Sequence, residues 1–273
     1  MTQGVPRGRL RSGIARACLL SPLLAAVWCA GAGAASAGGG APLSAPQLCA
    51  RMRAVSGPLR LAPHRRALRL LATGDSMIYP ADQELALHRP RGMSVIDSRH
   101  DGTGLTTSTV DWRRLAEYQA ATLRPDVTVI TLGGRDGGIS LPDARHRLIP
   151  CCSAQWLALY ADRIRPLIRA YVRGGRGRVY WLLLPAPQEA LRAPLFEAVN
   201  NALRLLAPEF GSALRLLPTD AVISPGGFQE TISYDGLEIH PRAPDGIHLT
   251  HAGACVERSL VVEALLADGL LVR

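Results

Sequence analysis

Five uninterrupted apolar runs, each followed by a stretch with helical spacing, leave little freedom in how this chain folds. ALRLLAT (67–73), MSVIDS (93–98), VTVITL (127–132), VYWLLLP (179–185) and ALRLLP (213–218) read as strands. They are continuous rather than alternating, as strands buried on both faces are. Helical patterns fall between them at about 77–88, 111–123, 153–173 and 194–206, another covers about 249–267, and CARMRAV (49–55) adds one before the first strand. Strand–helix–strand succession implies a parallel sheet, because each crossover must carry the chain back to the same edge. The expected architecture is an α/β three-layer sandwich with a five-stranded parallel sheet, in a single domain over residues 41–273.

Residues 1–40 stand outside this pattern. Arg7, Arg9, Arg11 and Arg16 precede an apolar run that ends in Ala35-Ser36-Ala37 and glycines. This is the layout of a secretory signal peptide followed by a linker, with cleavage near Ala37. A membrane contact is expected only through this segment, if it stays uncleaved. All of the 31 basic residues are arginines, a choice that fits a genome-wide bias. Setting aside four arginines and no acid takes the net charge from +9 to about +5. With no basic helix interleaved with aromatics, nucleic acid is excluded as the expected partner.

Cleavage leaves Cys49, Cys151, Cys152 and Cys255. An even count in an exported chain points to disulfides before metal, and the spacing fits no zinc pattern. A bridge between the neighbours Cys151 and Cys152 needs a strained ring. The expected bridges therefore run from that pair to Cys49 and Cys255, in an order the spacing leaves open.

Ligands of open parallel sheets bind beyond the carboxyl ends of the strands. The loops there carry Gly74-Asp75-Ser76, then RHDGTGL (99–105), GGRDGG (133–138) and, after the last strand, a long segment ending RAPDGIHLTHAGA (242–254). Ester cleavage needs an activated hydroxyl, a base, a carboxylate to orient the base, and N–H donors for the developing oxyanion. Ser76 offers the hydroxyl at a strand-to-helix turn, His248 the base and Asp245 the orienting carboxylate. Gly104 offers a backbone N–H that a ligand can approach closely. Taken alone, Ser76 would read as a helix cap and His248 as a structural histidine. Asp75 and Asp136 read as loop-holding carboxylates, Trp112, Trp156 and Trp181 as core, and His251 as a solvated helix residue.

Together these residues resemble the four blocks of the SGNH (GDSL-type) hydrolases: Gly74-Asp75-Ser76, Gly104, a Gly-x-x-Asp turn at Gly133–Asp136, and Asp245-x-x-His248 before the final helix. The resemblance covers about residues 66–268. GTGL, Trp112, CCSAQW and VYWLLLPAP are similar to an exported branch of that family in high-GC bacteria. The resemblance implies a flavodoxin-like sheet, a Ser76 nucleophile, His248 as base, Asp245 as its orienter, backbone N–H groups of Ser76 and Gly104 in the oxyanion hole, and no metal or other cofactor. The third block departs from the pattern. Where the family has Asn, whose amide completes the oxyanion hole, this chain has Arg135.

The expected function is that of an exported serine esterase acting on an acyl ester, a small molecule or a glycan or lipid of the cell envelope. Acyl transfer from the same acyl-Ser76 to a sugar hydroxyl is one alternative; a catalytically silent binding module, because of Arg135, is the other. The stretch 219–244 is too long for a plain connection and is expected to form a lid or substrate wall, with Tyr234 and Arg242 as substrate contacts.

Overall fold

The five apolar runs become β1 (Leu68–Gly74), β2 (Met93–Arg99), β3 (Val127–Thr131), β4 (Arg178–Leu182) and β5 (Leu214–Leu217) in the computed structural model. The structure describes residues 43–106, 110–136 and 140–273. The expected signal segment and the end of GGRDGG lie outside the described residues. No helix among the described residues is long and apolar enough to cross a membrane.

The strands pair in parallel in the order β2-β1-β3-β4-β5. This 2-1-3-4-5 order is that of doubly wound, flavodoxin-like sheets, and it reverses direction between β1 and β3. Helices α1 (Ala45–Ser56), α2 (Ala81–Leu87), α3 (Trp112–Leu123), α4 (Ala154–Val172), α5 (Ala193–Phe210), α6 (Thr219–Ile223) and α7 (His251–Ala267) surround it. Alternate residues of each strand face opposite layers. Leu71, Ile130, Val179 and Trp181 pack against α3, α4 and α5, while Leu70, Ala72, Val129 and Leu182 pack against α2 and α7. Trp112, Trp156 and Trp181 are all core residues, as their sequence context implied.

Three departures from the sequence reading have local causes. The run expected as one helix over 77–88 opens as a single 3-10 turn, Ser76–Ile78, and becomes α-helical only from Ala81. Pro80, which lacks an N–H, separates the two. The fourth strand ends at Leu182, three residues early, because the Asn200 side chain takes both the N–H and the carbonyl of Leu184 at 2.8 Å. The stretch 219–244 is no lid. It forms α6 and an antiparallel hairpin, Ile232–Tyr234 with Leu237–Ile239, and packs through Ile223, Ile232 and Ile239 against α1 and α7.

Helix α7 lies between the sheet and α1, so it is buried on nearly every side and carries little amphipathic signal. Its contact with α1 is covalent: Cys49 pairs with Cys255, Cα atoms 5.5 Å apart. Cys151 and Cys152 are joined to each other. The expected cross-pairing fails because Cys151 and Cys152 pack against the α3/α4/α5 side of the sheet, whereas Cys49 and Cys255 belong to the cluster on the other side. Replacing Cys49 and Cys255 together by Ala should cost about 2–4 kcal/mol in chemical unfolding, since the bridge closes a very long loop. A non-reducing digest should yield the peptide linked through Cys49 and Cys255; a peptide linking either to Cys151 or Cys152 would contradict this pairing.

Candidate active site

The loops after β1, β2 and β3 and the turn before α7 meet at the carboxyl edge of the sheet, beside the strand-order reversal. At the end of β1, Gly74 has φ +148°, and a Cβ there would stand 1.9 Å from the Thr131 carbonyl oxygen. Only glycine lets β1 and β3 run this close at the point where the chain turns. The next residue, Asp75, caps the 3-10 turn by accepting the Met77 N–H at 2.8 Å. Ser76 is thereby released from the capping role that such a serine usually fills.

Ser76 Oγ lies 2.9 Å from His248 Nε2, and His248 Nδ1 lies 2.6 Å from Asp245 Oδ2. Asp245 Oδ1 accepts the backbone N–H groups of Ile247 and His248, both at 2.9 Å. Burial alone would raise the Asp245 carboxyl; the His248 bond and the two N–H groups outweigh it and hold it down at about 2. An ionised Asp245 keeps the His248 proton on Nδ1, so Nε2 is left as the acceptor for the Ser76 hydroxyl. Gly246, at φ +67°, shapes the turn, and a Cβ there would collide with Gln188.

Two buried carboxylates hold the loops. Asp75 Oδ2 accepts the N–H groups of Gly133 and Gly134 at 2.9 and 3.0 Å, joining the β1 turn to the β3 loop. Burial pushes its carboxyl up to about 6, against the pull of those donors and of Met77. Asp136 accepts the Leu105 N–H, the Thr106 N–H and hydroxyl, and the Tyr160 hydroxyl, joining the β3 loop to the β2 loop. Gly104 sits directly on this carboxylate: a Cβ there would lie 2.4 Å from Asp136 Oδ1. Both acids therefore hold loops, as read from the sequence. Among the described residues, the N–H groups of Ser76 and Gly104 have no intramolecular acceptor.

The resulting cleft has a volume of about 390 Å³ and is lined by Ser76, His248, Gly102, Gly134, Arg135 and, from the start of α5, Arg192, Leu195 and Phe196. Such a volume suits a small ligand or one end of a larger one. Tyr234 and Arg242 do not line it, and of the β2 loop it is Gly102 that does, with the buried Gly104 set behind the lining. Tyr234 packs against α7 near Ser259 and Glu263. Arg242 is buried and donates to the carbonyls of Ile247 and Ala186 and to Ser224 Oγ, bracing the turn that carries Asp245 and His248 from behind. His251, at the start of α7, is exposed, with Nδ1 3.9 Å from Glu84.

The profile of a family described as "Protein of unknown function (DUF459)" matches residues 69–264, well over half of the chain. The chain belongs to the DUF459 family. Solved structures similar to this DUF459 chain include a catalytic mutant of an acetylxylan esterase from Geobacillus stearothermophilus (16% identity, 72% of this chain and 94% of the other, TM-score 0.49). They also include a GDSL-like lipase from Bacteroides thetaiotaomicron (13%, 82% and 98%, TM-score 0.48). A third is the catalytic domain of a peptidoglycan O-acetyltransferase from Streptococcus pneumoniae (13%, 74% and 95%, TM-score 0.44). At such identities none of them assigns an activity to the DUF459 chain. No curated protein matches it at a significant level.

No sequence signal marks Arg192, whose place at the cleft depends on how α5 docks, or Tyr160, which looks like any core aromatic on a helix. The charge of Arg242 is felt by Glu257, which is fully buried on α7 with neither oxygen hydrogen-bonded among the described residues. Burial, aided by Asp82 and opposed by Arg242, pushes Glu257 from its ordinary 4.5 up to about 8. Between these values the folded chain holds a proton that the unfolded chain has lost, so this group makes stability fall as pH rises. In thermal unfolding from pH 5 to 8, Glu257→Gln should gain on the wild type progressively with pH; a gap independent of pH would refute the assignment.

Proposed function

We propose that this protein is a serine hydrolase of the SGNH type that cleaves an acyl ester through an acyl-Ser76 intermediate. The observation that carries this reading is the continuous relay from Ser76 Oγ to His248 Nε2 and from His248 Nδ1 to Asp245, at hydrogen-bond distance in both steps. Ser76 Oγ attacks the ester carbonyl carbon while His248 Nε2 takes the hydroxyl proton. The C–O bond to the alcohol then breaks, and the alcohol leaves with that proton. Water repeats the sequence on the acyl-enzyme, releasing the acid and restoring Ser76. The unclaimed N–H groups of Ser76 and Gly104 are the candidates for stabilising the oxyanion.

The His248 side chain is 35% exposed, so water reaches the pair for the second half of the reaction. The signal-peptide layout and the two disulfides support an extracytoplasmic setting. An acyl group on an envelope carbohydrate or lipid is then the natural substrate class, and the chemistry needs no cofactor or metal. With both imidazole nitrogens engaged, His248 has none to spare for a cation.

Hydrolysis of 4-nitrophenyl acetate by the purified chain tests the reading. Ser76→Ala should fall to background, and Asp245→Asn should lower kcat by about three to four orders of magnitude by misplacing the His248 proton. Wild-type turnover in Ser76→Ala would overturn it.

A further inference from the structure

The cleft carries a charge that the reaction does not use. Arg135 stands where an amide would complete the oxyanion hole, and its side chain lines the cleft beside Ser76 and His248. It has no hydrogen bond or ion pair among the described residues. The acids on the turns that build the site are engaged elsewhere. Asp75 accepts three backbone N–H groups. Asp136 accepts two N–H groups and two hydroxyls. Asp245 is bound to His248. Among the described residues no carboxylate lines the cleft, whereas a second arginine, Arg192, does. Arg192 is tied through Nε to Glu189 at 2.7 Å, a surface pair that leaves its terminal nitrogens available.

The turn that presents Arg135 is rigid. Its neighbours Gly134 and Asp136 are both fixed, the first by its N–H bond to Asp75, the second by its side chain and by its own N–H to the Gly133 carbonyl at 3.0 Å. A Cβ on Gly134 would meet Met77 at 2.7 Å, so the turn is packed directly against the nucleophile's own segment. A guanidinium anchored at its Cα beside a reaction centre, with its five donors unclaimed, suits an oxyanion of the ligand. As an oxyanion-hole donor it fits less well, because a long, exposed side chain is a poor substitute for a short amide aimed at one atom.

We propose that Arg135, supported by Arg192, forms an anion subsite, and that the ester processed at Ser76 carries a carboxylate or phosphate group close to the scissile bond. This inference rests on the reading of Ser76 as nucleophile for its catalytic part and on the unpaired guanidinium for its binding part.

Three acetyl esters of similar shape separate these parts: methyl 4-acetoxybenzoate, 4-acetoxybenzoate and 4-acetoxyphenyl phosphate. The wild type should turn over at least one anionic ester with a kcat/KM about tenfold or more above the neutral one, as a charge-assisted contact implies. The stronger of the two names the anion. In Arg135→Gln the ratio should collapse towards one, and raising salt from about 0.05 to about 0.5 M should shrink it in the wild type. Equal losses on all three esters in Arg135→Gln would overturn the proposal and make Arg135 an oxyanion donor; so would a wild type with no preference for an anion. Ser76→Ala gives the readout without turnover. By calorimetry it should bind the preferred anionic ester at least about tenfold more tightly than the neutral one, and lose that margin with Arg135→Gln added. Equal affinities would overturn the subsite, whereas a margin in a chain whose wild type cleaves none of the esters would keep it and reject the hydrolase reading.

Discussion

The carboxylate of Asp75 is the joint on which the rest of the site depends. It accepts N–H groups from its own turn and from the β3 loop, so the segment carrying Ser76 is tied to the one carrying Arg135. Asp136 extends the joint to the β2 loop and to α4 through Tyr160. Burying a carboxylate is expensive unless several donors meet it. The upward push on Asp75 to about 6 shows burial still outweighing those donors. The structure thus places unfavourable terms beneath the site and lets the surrounding sheet, closed on both faces by helices, hold them in place.

The fold was legible because its signal is strong and redundant. Continuous apolar strands, regularly spaced helices and glycines at strand ends all imply the same parallel sheet. Ser76, Asp245 and His248 could be joined on paper because each lies next to a strand end or a helix start, where topology alone brings them to one edge. What escaped reading depends on docking rather than on local pattern. Arg242 looks like a loop cation and is a buried brace. Tyr234 looks like a wall of the cleft and is part of a hairpin seated on α7. The disulfide pairing was hidden for the same reason: strain between neighbouring cysteines was visible in the sequence, whereas the sheet standing between the two pairs was not.

Arg135 gives the site its particular character. Among the described residues no carboxylate lines the cleft, and the guanidinium of Arg135 brings a positive field to it beside Ser76. In the proposed reaction that field favours an anionic substrate and the negative charge that develops on the carbonyl oxygen during attack. The two effects act in the same direction and differ in where the arginine must touch.

The central claim, that Ser76 is an activated nucleophile, is tested most directly by treating the folded chain with a fluorophosphonate and locating the adduct by peptide mass spectrometry. The account predicts one adduct, on the peptide containing Ser76, abolished in Ser76→Ala and strongly slowed in His248→Ala. A folded wild-type chain that takes up no label, or takes it up at another residue, would contradict it.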